Sequence, residues 1–69
     1  MRLGCRQRTV LEKLHRVGPM TITELARSMD VDRSIVTRAA HTLERYGLIR
    51  RSGTKDVRGK VATLWEAAE

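Results

Sequence analysis

Apolar positions in the first quarter of the chain follow a helical period and then stop. Within RQRTVLEKLHRV, the apolar side chains that recur at helical spacing are Val10, Leu11, Leu14 and Val17. Gly18 and Pro19 follow at once, and both residue types end helices. The pattern therefore predicts a first helix with one buried face.

A second, shorter helix is predicted to begin at about Ile22. Thr21 and Glu24 have the S/T-x-x-E spacing of a capping box, in which each side chain accepts a hydrogen bond from a backbone N–H at the helix start. The predicted buried stripe consists of Leu25, Ala26 and Met29. The segment Asp30-Val31-Asp32 then predicts a tight turn in which Asp32 caps the next helix.

The third helix, over about residues 32–46, has a thin apolar stripe and a broad polar face. On a helical wheel, the apolar side consists of Val36, Ala39, Ala40 and Leu43. The opposite side carries residue types that contact bases and phosphates, namely Ser34, Thr37, Arg38, His41 and Arg45. Two helices joined by about three residues are typical of a helix-turn-helix, whose second helix enters the DNA major groove. Any exposed helix face is polar, however, so this face alone leaves both interpretations open.

A β-hairpin is predicted after Gly47, which ends the third helix as a C′ glycine. Residues 48–51 predict one strand and residues 60–65 a second, whose alternation places Val61, Thr63 and Trp65 on the core side. Residues 52–59 between them predict a long basic tip, or wing. The predicted fold class is mainly α with a small antiparallel β-hairpin (α+β), with three helices plus the wing in a single domain over residues 1–69.

The positive net charge of the chain makes a polyanion a candidate partner. The 69 residues include 14 Lys and Arg against 8 Asp and Glu, a formal net charge of +6, and the sequence pI is near 10.8. A hydrophobic fraction of 41% favours a folded chain over a disordered one. Many small proteins are basic for solubility alone, so the charge indicates nucleic acid only together with the helix-turn-helix.

The sequence indicates neither an enzyme nor a metal site. Cys5 is the only cysteine, His15 and His41 lie on different predicted helices, and no glycine-rich phosphate loop is present. We therefore expect no catalytic residues, no metal and no cofactor. The chain also lacks an apolar run of signal-peptide or transmembrane length, which predicts a cytoplasmic protein without a membrane partner.

Two stretches resemble winged helix-turn-helix proteins, most closely the DNA-binding lobe of MarR-type transcription regulators. They are TITELARSMDVDRSIVTRAAHTLERYGLIRR and DVRGKVATL. The resemblance implies sequence-specific binding of double-stranded DNA, with the recognition helix in the major groove and the basic wing, about residues 52–60, at the minor groove. It assigns helix contacts to Arg33, Ser34, Thr37 and Arg38. It also implies that Arg58 enters the minor groove and that Asp56 steadies it.

The resemblance and the pattern of charges together predict a set of DNA-binding residues on the recognition helix and the wing. The predicted set is Arg33, Ser34, Thr37, Arg38, His41, Arg45, Arg51, Lys55, Asp56, Arg58 and Lys60. The alternative function is a winged-helix adaptor that binds other proteins in a larger assembly. An adaptor predicts an exposed apolar patch and scattered charges, whereas the basic residues here are concentrated in the helix and the wing, which favours DNA.

The ends of the chain differ from MarR-type regulators, which carry extra helices that build a dimer and a ligand pocket. Here about six residues precede the first predicted helix and four follow the last predicted strand. A homodimer on DNA is possible, but no dimerisation helices are evident. These features fit a minimal phage or plasmid-type DNA-binding protein, or an isolated DNA-binding domain of a larger protein.

Overall fold

Three helices and a small antiparallel sheet surround the core in the computed structural model, which describes residues 3–68. In chain order the elements are α1 (Cys5–Val17), β1 (Met20–Thr21), α2 (Ile22–Met29), α3 (Arg33–Arg45), β2 (Ile49–Val57) and β3 (Lys60–Ala67). This arrangement confirms the predicted fold class of three helices plus a wing. The helix bounds lie within two residues of those predicted.

The sheet has three strands in the order β1-β3-β2, with both neighbouring pairs antiparallel. The short strand β1 was not predicted. It pairs Met20 with Trp65 and Thr21 with Leu64. Two residues are too few to show the alternation of a strand, so this pairing is set by the way the chain folds back on β3.

The core is one cluster of apolar side chains from every helix and from the sheet. Its buried members are Val10, Leu14, Met20, Leu25, Ala26, Val36, Ala39, Ala40, Leu43, Ile49 and Trp65. One prediction is wrong here: Val17, placed on the buried face of the first helix, is 65% exposed. His15 and Arg16 beside it are exposed too, so the last turn of α1 extends past the core.

Helix α2 begins with the predicted capping box. The Thr21 hydroxyl accepts a hydrogen bond from the Glu24 N–H at 3.1 Å, and the Thr21 N–H donates to Glu24 Oε1 at 3.0 Å. The start of α3 differs from the prediction, because Asp32 occupies the N-cap position but its side chain makes no capping hydrogen bond. Asp32 is exposed, so water can satisfy the first N–H groups of α3 in its place.

The second oxygen of the same glutamate holds the wing. Lys55 on β2 donates from Nζ to Glu24 Oε2 at 2.6 Å. The hydrogen bond from Lys55 lowers the pKa of the Glu24 carboxyl below its ordinary value, and the backbone N–H of Thr21 lowers this pKa further. One carboxylate therefore caps α2 and pairs with the wing.

Left-handed residues end both helices of the helix-turn-helix. Asp30 has φ 57°, and the Val31 N–H after it donates to Ala26 O at 3.1 Å. At the end of α3, Gly47 has φ 77° and the Leu48 N–H donates to Leu43 O at 3.0 Å, which is a Schellman motif. The predicted C′ glycine and the three-residue turn between α2 and α3 are both confirmed.

The wing is a paired hairpin, and the prediction that residues 52–59 form a long tip between the two strands is wrong. Strand β2 continues to Val57 and pairs there with Lys60, the first residue of β3, leaving only Arg58 and Gly59 in the turn. Both turn residues have positive φ, 53° and 80°, as in a type I′ turn. A glycine in the second position permits this two-residue turn, so the flanking residues pair instead of forming a loop.

Strand β3 faces the core over only part of its length. Trp65 is 4% exposed, which confirms its predicted packing role. Val61, predicted to share the core side with Trp65, is 73% exposed. The hairpin has already left the helices at that point, so alternation within the strand no longer corresponds to burial.

We predict that Thr21→Ala lowers the free energy of unfolding by about 0.5 to 2 kcal/mol, because α2 loses its N-cap hydrogen bond. Urea denaturation followed by circular dichroism measures the change. Thr23→Ala is the control, because Thr23 is exposed in the first turn of α2 and is not the cap residue. Equal midpoints for wild type and Thr21→Ala would contradict the capping role.

A second prediction concerns the pH dependence of stability. The folded-state pKa of Glu24 is lowered, so its contribution to stability is fully present above its unfolded pKa of about 4.3 and is lost as the pH falls through the folded value. The difference in urea midpoint between wild type and Glu24→Gln should therefore shrink from neutral pH to about pH 3. Glu12→Gln, at an exposed site on α1, controls for removal of a carboxylate. A difference that stays constant with pH would contradict this assignment.

Candidate nucleic-acid interface

Helix α3 presents its predicted polar face on the side opposite the core. Its buried side chains are Val36, Ala39, Ala40 and Leu43. Most of the predicted contact residues on this helix are exposed, and Thr37 is half-buried; the exposed ones are Arg33, Ser34, Arg38, His41 and Arg45. Packing of the apolar face thus determines which side chains a ligand can reach.

An open groove, here called the helix–sheet groove, lies between α3 and the sheet. It brings three residues of α3, Arg33, Thr37 and His41, together with Arg51 of β2. The remaining lining residues are Thr21, Ile22, Thr23, Ala62, Thr63 and Trp65. Four of the eleven predicted contact residues therefore share one surface, although they come from separate elements.

Trp65 packs beneath two of these side chains. The Arg51 guanidinium carbon lies 5.1 Å from the indole centroid, and the His41 ring centroid lies 6.2 Å from it. Arg51 Nε is also 3.4 Å from Glu44 Oε2 on α3. A cation over an indole face and beside a carboxylate has a restricted orientation. Arg51 is thus held at the junction of α3 and the sheet while its side chain remains 59% exposed.

A second groove, here called the wing groove, lies between α2, the start of α3 and the wing. Five cationic residues line it, against the two acidic residues Glu24 and Asp56; the cations are Arg27, Arg33, Lys55, Arg58 and Lys60. Lys55 is engaged by Glu24 at 2.6 Å. The balance of charge makes this groove suitable for an anionic chain such as a phosphate backbone.

Sequence reasoning missed Arg27 and Arg6 as candidate contacts. Arg27 is exposed on α2, one helical turn after the exposed Thr23, and this spacing could have indicated a shared face. Arg6 lines a groove with Arg27 and Arg33 at the turn between α2 and α3. No local signal in the sequence indicates this proximity, because Arg6 lies on α1.

The remaining predicted residues are not gathered in the two grooves. Arg38 lines a separate crevice against the first turn of α1, with Arg6 and Gln7. Ser34 and Arg45 line neither groove. The polar face of α3 is therefore broader than either groove, and it extends from the wing side to α1.

The predicted contact between Asp56 and Arg58 is absent from the ion pairs of residues 3–68. Those pairs are Arg50–Glu66, Arg51–Glu44 and Lys55–Glu24. Arg58 lies in the turn and Asp56 lies opposite Val61 on the paired strands. The steadying role of Asp56 thus stays a prediction for the DNA-bound state.

No group of three or more His, Cys, Asp or Glu side chains within residues 3–68 has the arrangement needed to hold a metal ion. Over the same residues, every helix is too short or too polar to cross a membrane.

Solved structures similar to this chain share its fold. YusO from Bacillus subtilis superposes with a TM-score of 0.83 at 29% identity, over 96% of this chain and 45% of YusO. NMB1585 from Neisseria meningitidis, a MarR family regulator, has a TM-score of 0.79 at 24% identity, over 97% of this chain and 46% of that protein. The chain thus spans about half the length of these two proteins.

A shorter similar protein is Stf76 from the Sulfolobus islandicus plasmid-virus pSSVx. It has a TM-score of 0.78 at 19% identity, over 93% of this chain and 82% of Stf76. No curated protein sequence matches the chain. The family model of the MarR family matches residues 6–58, which is more than half of the chain. This match and the shared winged-helix fold show that the chain belongs to the MarR family.

Proposed function

We propose that this chain binds double-stranded DNA in a sequence-specific manner and regulates transcription. MarR-family proteins are transcription regulators and not enzymes, in agreement with the prediction that this chain has no catalytic activity. In the proposed complex, α3 enters the major groove and the wing contacts the adjacent minor groove. Two copies can occupy the half-sites of a palindrome as a homodimer.

The observation that carries the proposal is the position of Arg33 between two cationic grooves. Arg33 lines both the helix–sheet groove and the wing groove. Cations of α2, α3 and the wing therefore form one surface, which matches the phosphate strand that separates a major groove from the neighbouring minor groove.

We assign different contacts to the residues along α3. Arg38 is proposed to bind guanine O6 and N7 with its two-pronged guanidinium, while Ser34, Thr37 and His41 reach base edges or phosphates. Arg45, in the last turn, is proposed to contact phosphate where the helix leaves the groove.

Arg58 is proposed to enter the minor groove from the tip of the wing. It has φ 53°, a left-handed conformation that disfavours side chains with a Cβ and favours Gly, Asn or Asp in a type I′ turn. A long cationic side chain at a position that disfavours it supports a role in binding. Narrow A·T minor grooves attract arginine, and Asp56 is proposed to orient Arg58 there. Arg51, Lys55 and Lys60 contribute positive charge beside it.

The alternative function is a protein-binding adaptor, and the exposed apolar residues bear on it. The exposed large hydrophobic side chains are Val17, Tyr46, Val57 and Val61, at the end of α1, the end of α3 and the wing. Val57 and Val61 line the wing groove among its cations, and Val17 and Tyr46 lie apart from them, whereas six cations line the two grooves that share Arg33. This distribution favours DNA as the partner.

A salt titration of binding to duplex DNA tests the proposed function. If three or more cations contact phosphates, log K against log salt should have a slope of about −3 or steeper, since each phosphate contributes about −0.9. Arg27→Ala should make this slope shallower by about 1, because Arg27 lines the wing groove. Arg16→Ala, at an exposed site on α1, removes the same charge outside both grooves and should leave the slope unchanged. A slope near zero for the wild type would favour the adaptor instead.

The proposed minor-groove contact of Arg58 predicts a substitution that weakens DNA binding without lowering stability. Arg58→Asn should weaken binding roughly tenfold at a site flanked by A·T pairs, and less when G·C pairs flank it. The same variant should be at least as stable as the wild type in urea, because asparagine tolerates a left-handed φ better than arginine does. Lys60→Asn removes a neighbouring charge outside the turn, and its effect should be independent of the flanking pairs. A loss of affinity from Arg58→Asn that is equal on both flanks would exclude the minor-groove contact.

A further inference from the structure

The outer part of the wing has few attachments to the rest of the protein. Residues 54–57 of β2 pair with residues 60–63 of β3, and nearly all of these residues are exposed. Within residues 3–68, one side-chain hydrogen bond joins this part of the wing to a helix, and it runs from Lys55 Nζ to Glu24 Oε2. The angle between the wing and α3 therefore depends on few contacts.

The backbone at the base of the wing can accommodate bending. The pairing register of β2 and β3 shifts between Arg51 and Gly53, which marks a bulge in β2. Bulges bend a strand, and Gly53 has φ 156°, within the positive range that glycine adopts readily. The segment beyond the bulge can thus change direction relative to the body of the sheet.

Glu24 offers Lys55 a partner with a defined position. It is the third residue of α2, and its Oε1 accepts the Thr21 N–H at 3.0 Å. This hydrogen bond sets the orientation of the carboxylate, so that Oε2 is held toward the wing. The hydrogen bond from Lys55 lowers the pKa of Glu24, so its carboxylate stays ionised to a lower pH than that of an ordinary glutamate. An oriented and ionised partner restricts the Lys55 ammonium, and with it strand β2.

We propose that Glu24 is a positioning residue for DNA binding, which holds the wing through Lys55 at the angle where α3 and Arg58 contact neighbouring grooves together. This inference rests on the proposed function. It makes a prediction opposite in sign to that from charge alone, because removing a negative charge beside the cationic wing groove should otherwise strengthen binding to DNA.

Glu24→Gln is the informative variant. Glutamine is also suited to the third position of a capping box, so its side-chain oxygen can still accept the Thr21 N–H while the charge that binds Lys55 is lost. Glu12→Gln is the matched control, because it removes the same charge from an exposed site on α1. At acidic pH the charge of Glu24 no longer contributes to stability. Equal urea midpoints for Glu24→Gln and Glu12→Gln at that pH therefore verify that the cap of α2 is intact.

Binding to a duplex with A·T flanks is the first measurement. We expect Glu24→Gln to weaken binding roughly two- to fivefold, the range that an exposed ion pair can supply, while Glu12→Gln leaves it unchanged. Arg58→Ala should cost less affinity in the Glu24→Gln background than in the wild type, because the wing is no longer held in place. Affinity equal to or above that of Glu12→Gln, with an unchanged cost of Arg58→Ala, would overturn the proposal.

The second measurement uses the free protein and does not depend on DNA. Residual dipolar couplings of backbone amides report the orientation of residues 54–61 relative to α3. Glu24→Gln and Lys55→Met should both reduce the wing couplings and leave those of α3 unchanged, whereas Glu12→Gln should change neither. Wing couplings unchanged in both variants would overturn the proposal even if DNA binding is found. Couplings that change as expected, with no DNA binding by the wild type, would instead reject the proposed function.

Discussion

The packing of α3 through a narrow apolar face is the constraint on which the rest of the structure depends. Val36, Ala40 and Leu43 are fully buried and Ala39 nearly so, and together they contact the small core from one side of the helix. The two alanines allow the backbone of α3 to approach the core closely. Larger side chains there would force α3 outward, because cores are packed close to crystal density. The same packing turns the arginines of α3 toward solvent.

A core this small leaves little stability to spare, and local backbone contacts matter correspondingly more. The capping box at Thr21 and the Schellman motif at Gly47 set where α2 begins and where α3 ends. They therefore fix the lengths of the helices that form the helix-turn-helix. Moving either helix end by one residue would change the direction in which the chain enters or leaves the helix by about 100° around the helix axis.

The ion pairs divide the cations of the wing into two groups. Arg50, Arg51 and Lys55 on β2 each pair with a glutamate, whereas Arg58 and Lys60 are in none of the ion pairs of residues 3–68. Exposed pairs of this kind contribute little to stability, about 0 to 1 kcal/mol each. Their effect is mainly on the orientation of these three cations. The cations at the tip stay available for an anionic partner, in accord with the DNA-binding role proposed for this member of the MarR family.

The sequence by itself determined the helices, the caps at Thr21 and Gly47, the turn of the helix-turn-helix and the polar face of α3. These features depend on residues three or four positions apart, so periodicity and capping chemistry are sufficient to predict them. Tertiary structure alone decided the pairing of β1 with β3, the exposure of Val17 and Val61, and the proximity of Arg6 to Arg27. It also decided the contact between Glu24 and Lys55, which are 31 positions apart. Such contacts depend on how whole elements pack together, and the residues next to each partner in the sequence do not indicate that packing.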